Sequence, residues 1–345
     1  LVRVQYLESF RAIAILVIVA GHCLGNWKLD SLPEQLLANG IIGGTHLFVF
    51  LSGFFLHHVF ASRFKFGPFL KKKALGVFVP YLLLASLAFF IIVVGLDRPH
   101  PALQLSSRDF LDYTVLYFRY LVTGRVFTAY WYIPFIALMF LLTPVFMTYM
   151  RLTRHHQIVA IVALSLVAMV VQRPAADLDP LHSVVYFTPV YLIGITTSMN
   201  FDSVMAFVRR YTIPIASVYF LTLGLATMVH GVGNYSKPSM WSWQGIDLMF
   251  INKFFLVFLL LALLSRLHDK WELRQLRFVA DLSLPLYFLH PWFLYFAGPK
   301  LRGHLSGLSG GPKALVVFVV TVLCCLAIAY FGRRSLGKKS HYLIG

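Results

Sequence analysis

Arg11 and His22 are two ionisable residues at the edge and in the depth of the first apolar run, eleven positions apart. On a helix that separation is about three turns and a rise of roughly 16 Å, so both side chains project from one face. An ionisable group in hydrocarbon costs a few kcal/mol or more unless it faces the bundle interior or a wet cavity. A neutral imidazole held there can take a proton from a hydroxyl, and a cation at the cytosolic end of the same face suits a reaction that reaches into the bilayer from the cytosol. The competing reading is a packed histidine hydrogen-bonded between helices, with Arg11 snorkelling to the interface. Spacing leaves both open. Glu8, three residues ahead of Arg11, is its natural partner on the helix surface.

Other polar residues in apolar surroundings divide in the same way. His46 opens the second run, where it either receives an acceptor or polarises a carbonyl, or caps a helix end. Ser52-Gly53 reads as close helix packing rather than as a nucleophile. Trp131, Tyr132, Trp292 and the pair Trp241 and Trp243 can stack on sugar rings, although aromatic belts at the two interfaces account for many such residues. His290, before Pro291, either lines a cavity or bonds to backbone freed by the proline. Asp247, Asn252 and Lys253 form a polar group in another apolar run, which on its own would mark the substrate or ion path of a transporter or flippase. A sensor or binding module on the same scaffold is the third class. Against transport, no pair of interrupted runs occupies corresponding halves of the chain.

The pairs His57-His58 and His155-His156 are adjacent and diverge on a helix, without a carboxylate or cysteine at ligand spacing, so no metal is expected. Cys23, Cys324 and Cys325 lie in apolar runs and offer neither a disulfide framework nor a zinc spacing. No glycine loop for a nucleotide phosphate is present.

The elements that must position these residues are set by composition. Of 345 residues, 59% are apolar and 12% charged, far from the soluble balance of about 25% charged. The apolar runs recur from end to end, which gives an all-α integral membrane protein with one domain over residues 1–345. Runs long enough to span the bilayer lie at 10–24, 41–60, 74–96, 130–149, 158–171, 184–199, 213–230, 246–264, 278–297 and 314–331, a bundle of about ten transmembrane helices. A shorter stretch at 113–122 carries Arg119 and is expected to lie along the surface or re-enter.

The net charge of +17 raises the question of nucleic acid, yet the cations cluster between apolar runs rather than alternating with stacking aromatics. With the N-terminus inside, the cytosolic segments hold most of the 30 Lys and Arg residues, including Arg3, Arg63, Lys65, Lys71, Lys72, Lys73, Arg333, Arg334, Lys338 and Lys339, so both termini are expected to be cytosolic. Outer connections carry mixed charge, such as Lys28 with Asp30 and Glu34. Lys300, Arg302 and Lys313 are the misfit, three cations on the expected outer side. Arg3 and Arg11 precede the first run as in a secretory signal, but no small-x-small site follows, so that run is expected to be a retained helix. The sequence opens on Leu1 rather than methionine, which leaves open whether its N-terminus is complete.

The segment Leu7-Glu8-Ser9-Phe10-Arg11-Ala12-Ile13-Ala14-Ile15, continuing to Gly21-His22, resembles the opening of the membrane-bound acyltransferase family 3, with its arginine, ten intervening residues and histidine. Thr45-His46-Leu47-Phe48-Val49-Phe50-Leu51-Ser52-Gly53-Phe54-Phe55 resembles the second-span element of that family. Phe69-Leu70-Lys71-Lys72-Lys73 leading to Pro80-Tyr81 resembles its basic loop, Tyr130-Trp131-Tyr132-Ile133 its central aromatic element, and Asp281 through His290-Pro291 its late element. The order and spacing together are more specific than any one piece.

The resemblance implies transfer of an acyl group, usually acetyl, from cytosolic acyl-coenzyme A to a hydroxyl of a glycan or another envelope or secreted molecule, as in the sugar and exopolysaccharide O-acetylases of the inner (plasma) membrane. It implies His22 as general base, with direct transfer or an acyl-histidine intermediate as alternative routes. Arg11, Arg63, Lys71, Lys72 and Lys73 would hold the phosphates of coenzyme A, and His46, Trp131, Tyr132 and His290 would meet the acceptor. Two departures stand out. Lysines occupy the basic loop where paired arginines are usual, giving point charges rather than bidentate forks. Tyr130 stands where a histidine often precedes the central tryptophan.

Overall fold

A computed structural model of the chain describes residues 5–25, 29–104, 107, 109–268, 273–305, 307–308, 310–337 and 340–343. Arg3, Lys28, Lys338 and Lys339 of the topological reading lie outside the described residues. The elements in chain order are α1 (Gln5–Leu24), α2 (Leu32–Ile41), α3 (Thr45–Phe55), α4 (Phe66–Lys73), α5 (Val79–Ala88), α6 (Phe110–Thr123), α7 (Tyr132–Leu141), α8 (Thr143–Tyr149) and α9 (Arg154–Val171). After the two-residue strand β1 (Arg173–Pro174) come α10 (Pro180–Met199), α11 (Phe201–Arg210) and α12 (Thr212–His230). The strand β2 (Ser236–Lys237) precedes α13 (Leu248–His268), α14 (Arg274–Asp281), α15 (Ser283–Phe296), α16 (Gly298–His304), α17 (Gly310–Leu336) and α18 (Ser340–Leu343).

Among the described residues, seven helices are long and apolar enough to cross a membrane, and up to nine if two bent pairs each count as a span. Those pairs are α7 with α8, bent by 57°, and α10 with α11, bent by 101°. In the chain, α9 and β1 lie between the two pairs. The run expected at 278–297 is the exception to the ten, because it divides at Leu282 into α14 and α15. Pro285 explains the break: its ring would clash with the carbonyl of Asp281, four residues back, so one helix ends there and another starts with the proline in its first turn. The short stretch expected near 113–122 is α6, whose Phe110, Leu111, Val115, Phe118 and Val122 face outward while Leu116 and Tyr120 are buried.

The helix carrying Arg11 and His22 is central. α1 packs against α3, α13, α14, α15 and α17, with Leu7, Phe10, Ala14, Ile15, Val19 and Cys23 buried. Next to it, α3 and α10 approach at backbone distance. A Cβ added at Gly53 would run into the Tyr191 carbonyl, and one at Gly194 into the Phe50 carbonyl, the small-residue contact by which membrane helices gain packing without a hydrophobic drive. Ser52-Gly53 therefore serves packing at the glycine. The helix through 66–95 passes Pro80 by widening to a π-helical turn at Ala74–Phe78, which accommodates the carbonyl of buried Gly76 that the proline cannot satisfy.

The polar residues in 246–264 also have structural partners. Lys253 Nζ donates to the Asn39 and Gly40 carbonyls at 2.7 and 2.9 Å, capping α2. Tyr186 donates to Asp247 at 2.7 Å, and Asp247 also accepts from the Phe250 N–H at 3.0 Å. Asn252 donates to the Tyr219 carbonyl at 2.8 Å. Charges that suggested a transport path are thus spent tying α2, α10, α12 and α13 together.

Candidate active site

Three cavities lie end to end through the bundle. The first, about 170 Å³, is lined by Arg11, Ser52, Phe60, Phe69 and Lys73 among others. The second, about 180 Å³, shares Phe48, Ser52, Lys73 and Phe140 with the first and adds His22, Trp131, Tyr132 and Tyr287. The third, about 470 Å³, meets the second at His22 and Ala129, and is lined further by Arg98, His100, Arg125, His290 and Arg302. Arg11 and His22 thus line one route from opposite ends, as a single helix face requires.

His22 sits where the second and third cavities join. Among the described residues it has no hydrogen-bond partner, and its ring lies 5.4 Å from that of His290, centre to centre. The Nδ1 of His290 lies 2.9 Å from the Leu286 carbonyl. A carbonyl only accepts, so Nδ1 carries the proton and the lone pair of a neutral ring is left on Nε2. That Nε2 is buried without a partner. His290 therefore lines a cavity and bonds to backbone, although to the Leu286 carbonyl rather than to that of Tyr287, the one Pro291 frees.

At the other end, Arg11 lies 3.7 Å from Asp281, and Glu8 lies 3.5 Å from Arg277. The basic run separates by direction. Lys71 and Lys72 are exposed, whereas Lys73 turns inward with its Nζ over the rings of Phe140, Phe60 and Phe69 at 4.8, 5.2 and 5.6 Å. Such ring faces attract an ammonium while leaving its charge uncancelled. Arg63 is exposed and ends a short turn after α3.

The aromatic element is fixed by packing. Trp131 stacks on Phe187 at 5.9 Å and carries the guanidinium of Arg173 over its ring at 5.0 Å. Arg173 in turn pairs with Asp177 at 2.8 Å. Tyr132 shares a 3.2 Å hydrogen bond with Ser52 inside the second cavity. Tyr130 donates to the Phe288 carbonyl at 2.9 Å and accepts from the Trp292 indole at 3.0 Å, tying the approach to α7 onto α15.

His46 is buried and lines none of the three cavities. Its Nδ1 donates to the Gly43 carbonyl at 3.1 Å, and Tyr186, Phe187 and Phe250 surround its ring. Trp241 and Trp243 are exposed beyond β2, also off the cavity walls. Sequence reasoning missed Arg98, His100 and Arg125. Only Arg302 left a trace, as one of the cations that fit the topology poorly.

The order of these elements agrees with a family comparison, in which the chain matches an acyltransferase domain over residues 4–330. It belongs to the acyltransferase family 3. No curated protein and no solved structure matches the chain. Membership makes this a multi-pass membrane acyltransferase. Both termini of this acyltransferase's matched region, α1 and α17, pack on one another at its centre.

Proposed function

We propose that this protein is a membrane-embedded O-acyltransferase that moves an acyl group, normally acetyl, from cytosolic acyl-coenzyme A to a hydroxyl of a glycan or another envelope or secreted acceptor. The observation that carries the reading is the position of His22, at the meeting point of a route from the Arg11 and Lys73 end and a wider cavity at the other end.

Donor binding uses the narrow route. Arg11 and Lys73 take phosphates of coenzyme A as charge-assisted partners, with Arg63, Lys71 and Lys72 raising the local potential at the mouth. The thioester reaches past Ser52 and Tyr132 to His22. An acceptor hydroxyl enters from the wider cavity, and His290 Nε2 accepts a hydrogen bond that orients it. His22 removes the hydroxyl proton as its oxygen attacks the thioester carbonyl; the carbon–sulfur bond breaks, and the departing thiolate recovers the proton from His22. Trp131 shapes the wall opposite. His46 acts at one remove, by fixing α3 against α10.

The protein would work in the plasma (inner) membrane with its N-terminus in the cytosol, where positive-inside asymmetry favours the basic segments. The test is mass spectrometry of envelope glycans and secreted metabolites from cells making the wild type or His22→Ala. One acetyl increment should disappear from one acceptor in the variant. Its persistence at wild-type levels would falsify the assignment of His22 as the base.

A further inference from the structure

The wide cavity is more basic than membrane topology requires. Arg98, Arg125 and Arg302 line it with His100, and no carboxylate lines it among the described residues. They come from three separate places: the segment after the π-helical turn Phe89–Gly95, the connection between α6 and α7, and α16. With the N-terminus inside, all three are on the outer side, where the positive-inside rule leaves cations scarce. Something other than topology gathers them.

Arg125 carries the argument furthest. Its Nε is buried with no hydrogen-bond partner, and its Nη2 lies 3.1 Å from His100 Nε2. The Nδ1 of the same ring receives the Ala102 N–H at 3.1 Å. A neutral imidazole accepts at only one nitrogen, so His100 cannot satisfy both donors. Burial, and then the Arg125 charge, push the pKa of His100 below its ordinary value, and an imidazole, neutral or protonated, offers a guanidinium no counter-charge. The acid whose field reaches Arg125 is Asp177, and that carboxylate is already bonded to Arg173 at 2.8 Å. A half-buried guanidinium with this little compensation is costly unless an anion completes it.

We infer that the wide cavity binds an acceptor carrying an oxyanion, carboxylate or phosphate, beside the hydroxyl that is acylated. Guanidinium forks hold such groups bidentately, and the inner wall of the same cavity presents His22 and the free Nε2 of His290 to the neighbouring hydroxyl. The volume of about 470 Å³ is that of an ordinary small-molecule site. This inference rests on the acyl-transfer reading and narrows its acceptor to an acidic or phosphorylated sugar. Coenzyme A carries phosphates too, so the test must separate the two sources.

The full chain in lipid nanodiscs, open on both faces, would be treated with diethyl pyrocarbonate, and modification of His22 followed by mass spectrometry. Methyl glucuronide and glucose 6-phosphate should protect His22 at concentrations about tenfold lower than methyl glucoside does. Arg302→Gln and Arg98→Gln should each erase that difference, and Arg302→Lys should restore part of it. Equal protection by the neutral sugar overturns the inference. So does loss, in the same variants, of protection by adenosine 3′,5′-bisphosphate, which would make the cavity the donor's. His22-dependent loss of the acetyl-coenzyme A thioester with concentrated methyl glucoside reports the underlying transfer separately: if it persists while charge preference is absent, only the acceptor class falls.

Discussion

Lys73 does at the residue scale what three consecutive lysines could not reveal in one dimension. Successive residues fan around a helix, and the rings of Phe69 and Phe140 select the one that turns inward, while Phe60 lies under both Lys72 and Lys73, at 5.5 and 5.2 Å. Lys73→Met should therefore raise the KM for acetyl-coenzyme A about tenfold at any ionic strength, because a charge-assisted contact is lost where water is scarce. Replacing exposed Lys71 and Lys72 with alanine should raise it only at low salt, since exposed charges are screened over about 8 Å at physiological ionic strength. Steady-state kinetics in low and high salt separate the two, and matching behaviour of both variants would remove the special place given to Lys73. His22 and Arg11 were legible because an ionisable side chain in an apolar run has few cheap explanations. Arg98 and Arg125 were not, because a charge in a connection costs nothing in water and acquires meaning only when folding gathers it with others. Lys253 was misleading for a related reason: its cost was visible in sequence, but the carbonyls of Asn39 and Gly40 that meet it lie more than two hundred residues away.

At the scale of elements, the approach of α3 to α10 sets the width of the route beside Ser52. A methyl group at Gly53 has only the Tyr191 backbone to push against, so Gly53→Ala should destabilise the fold by about 1–3 kcal/mol through overpacking. Gly224→Ala, in α12 with open space around it, should be neutral or gain up to about 1 kcal/mol from helix propensity. Thermal unfolding in detergent compares them, and equal midpoints would mean that α3 and α10 are looser than described. Apolar periodicity and length made nearly all of the spans legible. What it could not give was the division at Leu282, since the apolar run resumes beyond Asp281 and Ser283 and the stop comes from one proline acting four positions back. The same limit hid the bend of 57° between α7 and α8, where Thr143-Pro144 interrupts a run that is apolar on both sides.

For the whole molecule, the inside–outside assignment is open to direct labelling. Gly67 and Gly307 each have open space at the position of an added side chain, and Cys23 and Cys325 are buried. In intact cells a membrane-impermeant maleimide should label Gly307→Cys at once and Gly67→Cys only after permeabilisation; the reverse pattern would invert the membrane orientation and with it the sides given to donor and acceptor. The three cavities have one further consequence. The second and third have the side chains of His22 and Ala129 as their shared wall. A catalyst arranged this way can hand a two-carbon fragment from one compartment to the other while the bulky carriers on either side stay where they are. No gate has to swing, and the electrical insulation of the bilayer is kept by a plug only a few side chains thick.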